Sequence, residues 1–385
     1  MENILEKQMK VDNQYLQKVN GYKTVKVNDD NEQVKQSIMN IVGRYSWQKD
    51  ILYLAYSASY IEFTFEGSKA EISVVTDLYK DKEGKEDIYH GWLAIYVDDW
   101  SKPVNRVEVT QSKQQFTIYN SKEVKPVTIR IMKYSEAAFS KIGFEGIYTD
   151  GEVLTPPKKK ARKLEFIGDS ITCGYGVEGV AEKDIFTTAQ ENPTYAYAYQ
   201  CAQLLNAQHH LVSWSGIGII TNYVDETVNE PFEDRWLMPA LYEYTDGELE
   251  RSLEITNLEQ WDFNRYTPDA IVINIGTNDA SYTRGIEERQ QYFAERYEKF
   301  VCSVREKNPN AYILCVLGTM NQELCEIEHQ KIKRLQEEGD NKIQFLCLPS
   351  QNEQDGLGTD FHPSKITHTK VAHLIAEHLK ETLNW

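Results

Sequence analysis

Ser170, in the stretch LEFIGDSITCGYG from Leu164 to Gly176, is the residue whose type and position best suit nucleophilic chemistry. The apolar run Leu164, Phe166, Ile167 predicts a buried strand, and Gly168-Asp169 breaks it so that Ser170 falls on a strand-to-helix turn. A side chain there faces the crevice of an open α/β sheet, and the next helix turn offers N–H groups to developing negative charge. Gly-Asp-Ser alone reads more readily as a capped turn, because serine is a common N-cap. Three later segments supply what acyl transfer needs besides an alcohol. SWSGIGI carries Gly216 and Gly218, whose bare backbone lets N–H groups approach a ligand. INIGTNDAS carries Asn278, a side-chain amide donor. The Ser170 N–H, the Gly216 N–H and the Asn278 amide together make a three-donor oxyanion hole, in which losing one donor costs about 3–4 kcal/mol of transition-state stabilisation. GLGTDFHPSKITH puts His362 just before Pro363, a residue favoured in the first helical turn. A helix start disfavours imidazolium, which suits a general base that must be neutral to take a proton.

These residues need a scaffold that gathers distant loops. From Leu164 onward, short apolar runs alternate with helical patterns. Strands are expected at Leu164–Ile167, His210–Trp214, Ala270–Ile275, Tyr312–Leu317 and Ile343–Leu348. Helices are expected at Pro193–Asn206, Glu287–Asn308, Asn321–Glu338 and Ser364–Leu383. This is the pattern of a parallel sheet covered on both faces, a flavodoxin-like three-layer α/β/α domain. Between Tyr45 and about Leu154 the chain instead alternates apolar and polar residues, as in YIEFTFEG, AEISVVTD, GWLAIYVDD, QFTIYN and PVTIRIMKY. Period-two runs without a long helix predict an all-β, jelly-roll-like sandwich. Its tryptophans Trp47, Trp92 and Trp100 suit either sugar stacking or packing. Pro156-Pro157 and three lysines mark a linker, giving a β-sandwich over 1–154, a connection over 155–163 and an α/β domain over 164–385.

Composition narrows the partners. A net charge of −17 across 385 residues disfavours nucleic acid and anionic membranes, both of which call for a basic patch. The amino terminus has no apolar core of a signal peptide, and no run of about 18 apolar residues occurs, so a cytoplasmic protein is expected. Six cysteines without a C-x-x-C pair read as buried reduced thiols, Cys173 near Ser170 among them. His368, His373 and His378 recur every five residues, which rotates them off a common helical face and argues against a metal site.

In order and spacing, GDSITCGYG, the Gly216 segment, GTND and DFHPS resemble the four blocks of the SGNH or GDSL hydrolases. With a β-sandwich in front, the chain looks most like family two of the carbohydrate esterases, the acetyl xylan esterase group. The resemblance implies Ser170 as nucleophile, Gly216 and Asn278 as oxyanion donors and His362 as base, with no cofactor. It implies removal of O-acetyl groups from xylan, mannan or glucomannan sugars, with transfer to other acceptors open to some members. The superfamily places an aspartate three residues before the histidine, where this chain has Thr359; the carboxylate, Asp360, lies two before. Asp360 is therefore set against a Ser-His dyad, known in this family, in which a backbone carbonyl orients the ring. Phe361 stands where the family commonly has tryptophan. Phe361, Trp236, Tyr223 and Trp261 are candidates for the sugar side, and Ile217 or Ile171 for a shallow acyl pocket. A lipase or thioesterase acting on longer acyl chains, and a non-catalytic carbohydrate-binding protein, are the alternatives.

Overall fold

The computed structural model describes residues 38–77, 89–232, 236–247 and 258–385, with the backbone of Lys23–Val25. The chain divides into two compact units between Lys159 and Lys160. Among the described residues no helix is long and apolar enough to cross a membrane.

The first unit is all-antiparallel. Its strands are β1 (Lys23–Val25), β2 (Asn40–Val42), β3 (Tyr45–Gln48), β4 (Ile51–Leu54), β5 (Tyr60–Thr76), β6 (Gly91–Val97), β7 (Asn105–Val109), β8 (Lys113–Lys133), β9 (Ile142–Thr149) and β10 (Glu152–Leu154). Two pairs of runs that read as separate strands are continuous. YIEFTFEG and AEISVVTD together form β5, and QFTIYN and PVTIRIMKY together form β8. The intervening residues bend the strand without ending it, because register shifts between Gly67 and Lys69 and between Ala70 and Glu71 create bulges. The Asp150 carboxylate accepts hydrogen bonds from the Ser68 and Lys69 N–H groups, at 2.9 and 3.0 Å, and from the Ser68 hydroxyl.

The ten strands form one sheet, in the path β3-β4-β9-β5-β8-β6-β7, with β5 and β8 paired along their whole length at its centre. The first half of β5 and the second half of β8 pair with each other, with β6 and β7 beyond β8. The second half of β5 pairs with β9, which leads to β4 and β3. Inward residues from both ends of this sheet, among them Ile61, Phe63, Phe65, Ile72, Ile129 and Phe144, close one apolar core. Its tryptophans serve packing. Arg130 lies between the rings of Tyr60 and Trp100, 4.2 and 4.3 Å from their centres, while Arg106 covers Trp92 and Trp47 packs against the core.

The second unit holds five parallel strands, β11 (Arg162–Gly168), β12 (Ala207–Ser213), β13 (Ala270–Asn274), β14 (Tyr312–Leu317) and β15 (Ile343–Cys347). Their order is β12-β11-β13-β14-β15, the flavodoxin-like arrangement expected. Every residue of β12, β13 and β14 is buried, as strands covered on both faces must be, while the edge strand β15 is partly exposed. Helices Tyr197–Leu204, Glu287–Lys307, Cys325–Glu337 and Lys365–Leu383 follow the apolar periodicity. The end of β11 lies between the ends of β12 and β13, where the strand order reverses. A crevice opens at such a point, and it receives the loops that follow all three strands. All six cysteines are free, and Cys173, Cys201, Cys315 and Cys325 are buried.

Asp150→Ala is expected to remove the acceptor that holds the β5 bulge and to cost about 1–2 kcal/mol of stability. Urea unfolding of the whole protein checks this, and an unchanged midpoint would show that the bulge holds without Asp150.

Candidate active site

The site starts from a backbone constraint at Gly168. A Cβ there would strike the Thr172 hydroxyl and come within 2.9 Å of the Asn274 carbonyl, so only glycine lets β11 turn this tightly. One helical turn, Ser170–Cys173, follows at once. Asp169 caps it by accepting from the Ile171 N–H at 3.0 Å, and Gly174 ends it at φ 83°. Ser170 is thus presented at the first position of the turn, 6% exposed.

His362 reaches it across 192 residues of sequence. Its Nε2 lies 2.8 Å from the Ser170 Oγ. Its Nδ1 is 3.2 Å from the carbonyl oxygens of both Thr359 and Asp360. Carbonyls only accept, so Nδ1 carries the proton and Nε2 is left as the acceptor for the serine hydroxyl.

The Asp360 carboxylate makes no hydrogen bond to the ring. Its Oδ2 accepts instead from the Tyr175 hydroxyl at 2.8 Å. Asp360 and Phe361 adopt φ 51° and 60°, two successive left-handed residues, and this turn is associated with main-chain oxygens facing the imidazole and the carboxylate facing Tyr175. The arrangement is a dyad oriented by carbonyls.

The reason for a neutral base also differs from the expectation. The final helix begins at Lys365 with Ser364 as its cap, so His362 stands before the helix and not in its first turn. Desolvation is the main effect that pushes the imidazole below its ordinary value of 6.5, while the two carbonyl bonds and the Asp360 charge pull it back up. His362 as a residue is partly exposed, but its ring is crowded by Tyr175, 4.5 Å away, which itself stacks on Phe186.

Gly216 and Asn278, the expected oxyanion donors, lie in the loops after β12 and β13. Gly216 has φ 79° and open space where a side chain would project. Asn278 Nδ2 donates to the Ile217 carbonyl at 2.8 Å and is 3.5 Å from Asp169 Oδ2, a distance that leaves its second hydrogen weakly engaged. Sequence reasoning overlooked Asp279, whose only signal was its place beside Asn278. Its buried carboxylate accepts from the Ile219 and Ile220 N–H groups at 2.8–3.0 Å and so ties down the loop that carries Gly216. Desolvation outweighs those bonds and pushes Asp279 up to about 6.

Residues 166–370 match the GDSL-like Lipase/Acylhydrolase family, and residues 41–157 match the Carbohydrate esterase 2 N-terminal domain. The chain belongs to the GDSL-like lipase/acylhydrolase family. It is 32% identical over 337 residues to the cellulase/esterase CelE of Acetivibrio thermocellus, covering 86% of this chain but only 38% of that relative. It is 26% identical to an acetylxylan esterase / glucomannan deacetylase of Cellvibrio japonicus, over 77% of this chain and 78% of the relative. A solved family two carbohydrate esterase from Clostridium thermocellum, in complex with cellohexaose, superimposes with a TM-score of 0.78 at 29% identity, covering 90% of this chain and 99% of the other.

Around this GDSL-family centre the four aromatic candidates separate. Tyr223 is 61% exposed, and its N–H donates to the Gly216 carbonyl at 2.8 Å, which ties the ring to the oxyanion loop. Phe361 is half exposed beside His362. Trp261 is a correction: it is buried, with Arg265 over its ring at 4.6 Å and His210 at its edge, and offers no face to a ligand. Trp236 is likewise engaged internally, donating Nε1–H to the Gly247 carbonyl at 3.0 Å and packing on Tyr244. Ile171 and Ile217 are both buried. His368 accepts from the Tyr197 N–H, and His378 pairs with the Tyr312 hydroxyl, so both histidines serve packing.

Two outcomes follow from the dyad. Because the base is a neutral ring with a depressed pKa, kcat/KM for an aryl acetate should fall only as pH drops through a value below 6.5; an acid limb at or above 6.5 would contradict this. Asp360→Asn keeps the carbonyl and an acceptor for Tyr175, so kcat should fall less than about tenfold, against about 10⁴ for loss of an orienting carboxylate.

Proposed function

We propose that this protein is a serine esterase that removes O-acetyl groups from acetylated xylo- or manno-type oligosaccharides or polysaccharides. The single observation that carries the chemistry is the 2.8 Å approach of His362 Nε2 to Ser170 Oγ, with Nδ1 occupied by carbonyls. The sugar substrate is carried by likeness to relatives described as acetylxylan esterase / glucomannan deacetylase. The exposed aromatic side chains of Phe361, next to His362, and Tyr223, whose backbone bonds the Gly216 carbonyl, support it, since stacking on a ring suits a sugar's apolar face.

In this reading the Ser170 oxygen attacks the acetyl carbonyl carbon while His362 Nε2 takes its proton. The carbonyl oxygen gains negative charge and accepts hydrogen bonds from the N–H groups of Ser170 and Gly216 and from the Asn278 amide. The C–O bond to the sugar breaks as His362 returns the proton to the departing alcohol, leaving an acetyl-serine. Water then attacks with His362 again as base, releasing acetate and restoring the hydroxyl. A second sugar alcohol in place of water would make the same step a transacetylation. Ile171 and Ile217 close the acyl side, which favours a two-carbon group over a long chain. Six free thiols, all from Cys173 onward, fit a reducing compartment, and cytoplasmic residence belongs to this reading.

NMR of a defined acetylated xylo- or manno-oligosaccharide should show acetate release that disappears with Ser170→Ala. Aryl ester turnover should fall as the acyl chain lengthens from acetate to octanoate. A rise over that series, without acetate release from any sugar, would favour the lipase or thioesterase reading.

A further inference from the structure

The segment 222–232 leaves the oxyanion loop and returns to it. Asn222 and Phe232 close its base, the Asn222 N–H donating to the Phe232 carbonyl at 2.8 Å. Near that base the Tyr223 N–H bonds the Gly216 carbonyl, and the Val224 N–H bonds the Ser281 hydroxyl at 3.0 Å. Residues 225–230 are all exposed. An exposed loop ordinarily satisfies its carbonyls with water and stays mobile.

Here the carbonyls are held by arginine. Arg284, in the left-handed position that ends the Thr277–Thr283 helix, donates Nη1–H to Glu226 O at 2.7 Å and Nη2–H to Asp225 O and Val228 O, both at 2.8 Å. Its Nε–H donates to Ser281 O at 2.6 Å, locking the guanidinium to the helix that carries Asn278. Arg289 adds a bond to Asn229 O at 3.1 Å and is itself held by Tyr282 O. Such charge-assisted bonds are roughly twice as strong as neutral ones. A surface loop bonded this way is preorganised, and the exposed ring it holds in place beside Gly216 is Tyr223.

We propose that Arg284 is a positioning residue for the leaving-group sugar: by binding the carbonyls of 225, 226 and 228 it fixes the 222–232 loop as a rigid wall along which the glycan beyond the acetylated unit lies, with Tyr223 at its foot. The inference rests on the sugar esterase reading above and deepens it. A small aryl acetate ends at the acyl centre and does not reach this wall, whereas an oligosaccharide must. Without the guanidinium, the loop has to be ordered at the moment of binding, and that cost falls on the larger substrate.

The test compares 4-nitrophenyl acetate with a defined acetylated β-1,4-xylo-oligosaccharide in the wild type, Arg284→Ala and Arg284→Lys, with thermal unfolding of each variant. In Arg284→Ala the ratio of oligosaccharide to aryl acetate kcat/KM should fall about tenfold, the scale of ordering one or two side chains on binding, and mainly through KM. Arg284→Lys, whose single ammonium cannot reach three carbonyls in a fixed fork, should recover little of it. Tyr223→Ala combined with Arg284→Ala should discriminate against the oligosaccharide no more than Tyr223→Ala alone. An equal fall for both substrates would make Arg284 a support of the acyl centre, and an unchanged ratio would also overturn the proposal. If the wild type cleaves aryl acetate but no acetylated sugar, the esterase reading itself fails, an outcome visible before any variant is made.

Discussion

The bond from His362 Nδ1 to two main-chain carbonyls is the constraint on which the site depends. A serine hydroxyl is a poor nucleophile unless a base stands ready, and an imidazole is that base only with its proton on the far nitrogen. A carboxylate is the usual way to keep it there. This chain uses peptide oxygens instead, and to aim them it holds Asp360 and Phe361 in left-handed backbone conformations that cost energy outside glycine. Tyr175 binds the displaced carboxylate and lies against the imidazole, so one aromatic side chain braces both parts of the turn. Neutral carbonyls stabilise imidazolium less than a carboxylate would, and desolvation prevails in setting the ring's affinity for protons.

The oxyanion side follows a complementary logic. Backbone N–H groups are useful to a transition state only if they are already aimed, so the loop that holds them cannot be free to relax. Asp279 fixes it from below through the Ile219 and Ile220 N–H groups, and a Cβ at Gly218 would come within 2.6 Å of the Asp279 carboxylate. Glu328 lies buried against Gly276, at the start of the helix that carries Asn278, where a Cβ would come within 2.6 Å of it, and desolvation pushes its carboxyl well above the usual range. Two buried acids thus stand behind the amide donors, one accepting from the backbone and the other favoured in its uncharged form.

Both units show how a local irregularity does architectural work. In the β unit, bulges bend β5 within one ten-stranded sheet, so that nine antiparallel pairings among the described residues enclose a single core. In the α/β unit, the reversal of strand order beside β11 opens the crevice, and three strand ends deliver Ser170 and the segments of Gly216 and Asn278 to it.

What the residues alone determined was whatever depends on periodicity and composition. Continuous apolar runs separated by amphipathic stretches are enough to specify five parallel strands and their covering helices. Glycines and polar side chains at the strand ends are enough to mark Ser170, Gly216, Asn278 and His362 as a group. Only the tertiary structure decided matters of direction. Whether Asp360 turns its carboxylate or its carbonyl to the imidazole depends on two successive left-handed residues, and φ is not written in residue type unless the residue is proline. Burial separated Tyr223 and Phe361 from Trp261, because an aromatic ring suits a core and a ligand platform equally well until its neighbours are known. Asp279 and Arg284 escaped notice for the same reason: their partners are backbone atoms of segments about 60 residues away, and such pairings exist only once the chain has folded.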